Sequence, residues 1–141
     1  MTNNDRDLWR QRWLHCINQL TSLELQKASW LDMTHSNPHW SFIEFMCCYF
    51  DELFIDDNYK YPLDKSLVTQ KEYDIIKDWH EEIDKYSAPK NDDYNNQAIL
   101  NDPKWLDILQ SGVNVRNKLA ETLNESEKQY LTEEIDYLKY I

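Results

Sequence analysis

Residues 37–54 read NPHWSFIEFMCCYFDELF, and six of these side chains are aromatic. Asn37 suits a helix N-cap, because its side-chain oxygen can accept from an unpaired amide of the first turn, and Pro38 suits the position that follows. A helix is therefore expected to begin at about residue 38. From there Trp40, Phe42, Ile43, Phe45, Met46, Tyr49, Phe50, Leu53 and Phe54 cover most of the cylinder, leaving Ser41, Glu44, Cys48, Asp51 and Glu52 as a narrow polar stripe. That pattern belongs to a helix buried on most sides, so 38–54 is expected to form the central apolar helix.

The rest of the chain agrees with a helical fold. It has 141 residues with one glycine and four prolines, where average usage gives roughly ten and seven. A sandwich or barrel needs turn glycines at many corners. The expectation is an all-α single domain over 1–141, a compact bundle of about seven helices. Leu8, Trp9, Trp13, Leu14, Ile17 and Leu20 predict a helix over 7–20, and Thr21 with Glu24 resembles a capping box opening one over 22–32. The stretch IDDNYKYPLDKSLV reads as a loop. Thr69 and Glu72 form a second capping box, and Tyr73, Ile76, Trp79, His80, Ile83 and Tyr86 then share one face of a helix that ends before Pro89. A short turn of helix is expected near 94–100. Asp102 and Pro103 start another, which Gly112 is expected to close. Two more follow at about 113–123 and 125–139, with Leu119, Leu123, Tyr130, Leu131, Ile135 and Leu138 inward.

The net charge of −11 is unevenly placed. Residues 1–36 hold four acids and four bases, residues 44–107 sixteen acids and seven bases, and residues 108–141 six acids and four bases. A negative field from the middle of the chain repels nucleic acid and anionic membrane and attracts a basic protein, or else simply keeps the surface solvated. No stretch approaches a membrane span, and MTNNDRDLW lacks a signal peptide's apolar region. Three cysteines, two of them adjacent, make no disulfide framework. These features lead to the expectation of a soluble, cytoplasmic protein.

Chemistry finds little footing. Cys47 and Cys48 point about 100° apart on a helix, so they cannot share a metal ion, and they read as small apolar fillers. His35 and His39 are separated by the Asn37-Pro38 start, which breaks the register that could bring them together. His80 reads as a histidine at the edge of the core with one nitrogen bonded, and Glu44 as part of a polar seam. A single glycine leaves no room for a phosphate-binding loop or a nucleophile elbow. No catalytic residue, metal site or cofactor is expected.

Taken in order, NPHWSFIEFMCCYFDELF, TQKEYDIIKDWHEEIDKYSAP and AILNDPKWLDILQSG resemble bacterial immunity proteins of the contact-dependent growth inhibition type, over roughly residues 37–112. The words NPHWSFIEF, EYDIIKDWH and LNDPKW carry the likeness as a set. The resemblance implies an antitoxin without catalytic activity that binds and neutralises the C-terminal domain of a secreted toxin. Such toxins are often nucleases with basic clefts, which an acidic inhibitor complements. The expected toxin-binding residues are the acids Asp56, Asp57, Asp78, Glu81, Glu82, Asp92 and Asp93, with Tyr59, Tyr61, Trp79 and Tyr94 as aromatic anchors among them. Each aromatic has core or edge packing as its alternative. The competing reading for the whole chain is a structural or regulatory homo-oligomer, and an enzyme built on scattered carboxylates ranks third.

Overall fold

The computed structural model describes residues 2–32 and 40–140, and every regular element in them is helical. Eight α-helices follow one another: α1 Asn3–Leu20, α2 Leu23–Trp30, α3 Phe42–Cys47, α4 Lys60–Asp64, α5 Gln70–Lys85, α6 Asn96–Leu100, α7 Pro103–Ala120 and α8 Glu125–Thr132. A π-helical turn, Cys48–Glu52, prolongs α3, and 3-10 turns occupy Pro89–Asn91 and Tyr137–Tyr140. None of the described helices is long and apolar enough to cross a membrane.

The starts follow local chemistry. Thr69 accepts from the Glu72 amide while the Glu72 carboxylate accepts from the Thr69 amide, closing the expected capping box of α5. Asp102 caps α7 with Pro103 behind it. For α2 the cap is Ser22, which accepts from the Leu25 amide. Thr21 instead turns its hydroxyl back onto the carbonyl of Ile17, ending α1. The proposed cap of the central helix, Asn37, lies outside the described residues together with Pro38, His35 and His39. Within them α3 begins at Phe42, where Ser41 accepts from the Glu44 amide and the Asn96 side chain takes the Phe42 amide.

One apolar cluster draws on all of these helices except α4, with Tyr59 and Val68 flanking that turn as members. α1 packs against α8, α7, α2 and the π-helical turn, and α5 against α7. At its heart Trp30, Phe42, Phe45 and Trp105 meet at ring-centroid distances of 5.3–6.2 Å, geometries that add about 0.5–1.5 kcal/mol per pair beyond burial. Trp105 also donates to the buried Gln26 side chain at 3.0 Å.

The central helix is buried on one side only. Phe42, Phe45, Tyr49 and Leu53 face the core, while Ile43, Met46 and Phe50 are half-buried and Phe54 is 58 % exposed. Three further expectations need correction. The loop at 55–68 contains α4, a single turn with no side-chain cap that leaves no periodic signature. Leu138, expected inward, is 55 % exposed. Gly112 does not end a helix: α7 runs through it to Ala120, and the glycine serves the contact with α5, where a Cβ would stand 2.6 Å from Nε1 of Trp79 and 2.7 Å from Cγ2 of Thr21.

Candidate functional site

All seven carboxylates expected at a binding surface are exposed: Asp56 and Asp57 in the turn before α4, Asp78, Glu81 and Glu82 on α5, and Asp92 and Asp93 in the loop before α6. They do not carry equal fields. The outer face of α5 also presents Lys71, Lys77 and Lys85. Residues 51–59, in contrast, hold four exposed carboxylates, Asp51, Glu52, Asp56 and Asp57, and no base. Negative charge is therefore dense around the end of the π-helical turn and the bend that follows it, up to the exposed Lys60.

Two of the expected aromatic anchors are not on the surface. Tyr59 is fully buried; its hydroxyl accepts from Nε1 of Trp13 at 2.9 Å and lies 2.7 Å from the hydroxyl of Tyr49. Trp79 is 1 % exposed and donates to the Ile108 carbonyl at 3.1 Å. Each sits among acids in sequence, but its Cα–Cβ direction sends it to the core while the acids point out. Tyr61 and Tyr94 are accessible, Tyr61 half-buried and Tyr94 85 % exposed.

The exposed aromatic that the sequence pattern assigned to the core is Phe54, 58 % exposed. Its ring stands outside, 5.3 Å from that of Tyr61, between Glu52 and Asp56 in sequence. The backbone explains how it gets there. The Ile55 amide bonds the Phe50 carbonyl at 3.0 Å and the Phe54 amide bonds the Asp51 carbonyl at 3.3 Å, the bond pair that closes a helix on a left-handed residue. Phe54 is that residue, with φ 56°. Glycine normally fills this position, because a β-carbon there costs about 1–2 kcal/mol. Asn58 and Tyr59 follow at φ 59° and 68°. Strained backbone is often found at binding sites, and here it leaves an aromatic ring in solvent inside an acidic bend.

Beneath this bend runs a buried polar chain. Trp13 can only donate to Tyr59. The order that gives each buried hydroxyl proton a partner then runs from Tyr59 to Tyr49, 2.7 Å away, and from Tyr49 to Nδ1 of His80 at 3.0 Å. This order requires a neutral His80 with its proton on Nε2. Burial pushes the His80 pKa below its ordinary 6.5, although Asp84 and Glu81 on the same helix pull the other way. As pH falls the unfolded chain therefore takes the proton first. Stability is unaffected well above pH 6.5 and declines below it until the folded-state pKa is reached, by up to about 1.4 kcal/mol per pH unit. Urea unfolding at pH 7.5, 6.5 and 5.5 should show this decline, and His80→Gln, which stays neutral, should flatten it. The half-buried His15 shifts in the same direction, because burial outweighs Glu133, so a residual slope is expected. An identical slope in the variant would remove His80 from the acid response.

The described residues include all three cysteines of the chain. No three of their His, Cys, Asp and Glu side chains gather as a metal site. Cys16 is buried, and Cys47 and Cys48 are free, half-buried thiols. Burial and then neighbouring carboxylates push both pKa values up, to about 12 for Cys48, the reverse of what a nucleophile needs. Glu44 is half-buried in the first turn of α3. No protein-family model matches the chain, and comparison with curated proteins and with solved structures finds no match.

Proposed function

We propose that this chain is a protein-binding module acting by occupancy rather than by catalysis. More narrowly, it is an immunity protein that neutralises the basic C-terminal nuclease domain of a contact-dependent growth inhibition toxin in the cytoplasm. The observation that carries the reading is Phe54, an aromatic ring held outward at backbone cost amid Asp51, Glu52, Asp56 and Asp57. Buried aromatic anchors supply much of the affinity of protein interfaces, and surrounding charges set the encounter rate. The resemblance of residues 37–112 to such immunity proteins is what favours a toxin domain as the partner.

Stability and binding should move in opposite directions at this residue. Phe54→Gly relieves the left-handed strain, so the unfolding free energy should stay level or rise by about 1 kcal/mol. Affinity for the toxin domain encoded beside the chain should fall by at least about thirtyfold, as for an anchor worth about 2 kcal/mol or more. The acids should act on the association rate. Changing Asp56, Asp57, Glu81 and Glu82 to their amides should slow association roughly tenfold at low salt. Raising salt from 0.01 to 0.15 M shortens the screening length from about 30 to about 8 Å and should slow the unmodified protein similarly. Toxin binding indifferent to Phe54→Gly, to the four amides and to salt would place the interface elsewhere.

A further inference from the structure

The outward side of α3 carries a second feature. Ile43, Met46, Cys47 and Phe50 follow one another at helical spacing and are all half-buried. With Ile83 and Tyr86 from the end of α5 and the bend after it, they line a groove of about 270 Å³ whose charged members are Asp84 and Asp93. No lysine or arginine lines it. The two carboxylates come from different elements, α5 and the loop before α6, so the fold and not the sequence brings them to one rim. The groove is smaller than a pocket for a drug-sized ligand, and its size suits one large apolar side chain. The π-helical turn begins at its far end and places Phe50 in the groove one turn before Phe54 leaves for solvent; π-helical turns of this kind often mark functional sites. Burial, then Asp51 and Glu44, push the Cys47 thiol up.

We infer that this groove receives an apolar side chain of the toxin domain flanked by a lysine or arginine, the base lying against Asp84 and Asp93. The inference rests on the immunity reading. It makes the interface two-pointed, with Phe54 projecting into the toxin and the toxin projecting into the groove of α3 and α5.

Cys47 is a built-in reporter, because it lines the groove as a free thiol. The intact chain is alkylated with N-ethylmaleimide at pH 8, alone and with the toxin domain encoded beside it, and the label is assigned by tandem mass spectrometry. Alkylation of Cys47 should slow at least tenfold in the complex. Asp93→Lys, an exposed change, should weaken binding roughly tenfold, and Met46→Lys about a hundredfold, while Met46→Leu binds as the parent and all three retain its helical circular dichroism. Tight binding with Cys47 labelled at its free rate overturns the groove and leaves the immunity reading standing. Protection of Cys47 in the free chain that grows with its concentration assigns the groove to a second copy and overturns the inference. A toxin domain that does not bind the parent chain overturns both.

Discussion

Arg10→Met is expected to lower the unfolding free energy at pH 7 by about 3–5 kcal/mol, the cost of leaving a buried charge without its partner. All five N–H directions of Arg10 are used. Nε and Nη2 donate to Glu127 at 2.7 and 3.2 Å, Nη1 and Nη2 to Glu72 at 2.9 and 2.7 Å, and Nη1 also to the Leu67 carbonyl at 2.9 Å. The guanidinium lies 5.5 Å over the ring of Trp13. It thus ties α1 to the start of α5 and to α8. Methionine fills the space but leaves the buried Glu72 carboxylate with only its bonds to Thr69, whose amide donates at 2.9 Å. Adding Glu72→Gln to Arg10→Met should recover part of the loss, because the stranded charge is then gone.

The acid side of the curve checks the cause. Burial works against an ionised Glu72, yet the bonds from Arg10 and Thr69 outweigh it and hold the pKa below the usual 4.5. Its contribution in the parent is present above that value and lost as pH falls through the folded-state pKa. Without Arg10, burial dominates and the group is raised, so protonation relieves the variant. The gap between parent and Arg10→Met, measured by urea unfolding, should narrow from pH 7 to pH 4.5. A constant gap would assign the loss to packing over Trp13.

This ion-pair cluster was invisible in the sequence, and the reason is general to what was missed. Helix starts depend on residues three apart, so Thr69 with Glu72 and Asp102 with Pro103 could be read directly. The all-helical class followed from a near absence of glycine. Arg10 and Glu72 are 62 residues apart, and nothing local distinguishes a buried glutamate at position three of a helix from an exposed one. Direction was the second limit. Tyr59 and Trp79 were candidate anchors because acids flank them, although Trp79 also shared the apolar face of its helix, and Phe54 looked like core because aromatics precede it. A left-handed residue at the end of a helix reverses the face that periodicity assigns, and without a glycine there the reversal leaves no mark. The exposed acids were legible, since charge seldom hides unpaired.

Gly112 provides the clearest contest between a local rule and a tertiary contact. It is the only glycine of the chain, and it lies inside α7, where alanine is favoured by about 1 kcal/mol on helix propensity. If propensity decided, Gly112→Ala would stabilise the protein. The added Cβ, however, would meet Nε1 and Cε2 of Trp79 at 2.6 and 2.9 Å and Cγ2 of Thr21 at 2.7 Å. Trp79 cannot swing aside freely, because its ring is buried and its indole N–H is bonded to the Ile108 carbonyl of the same helix. α5 and α7 must therefore part, and overpacking of this kind costs about 1–3 kcal/mol. The clash wins, and Gly112→Ala should lower the unfolding free energy by about 1–3 kcal/mol with the helical content kept. The contact predicts coupling as well. Trp79→Leu alone opens a cavity and should be costly, but in its presence Gly112→Ala should cost much less than in the parent, a non-additivity expected of residues in contact. Strict additivity in the double-mutant cycle, or a gain of stability from Gly112→Ala alone, would mean that the two helices do not approach as closely at this glycine as the structure places them.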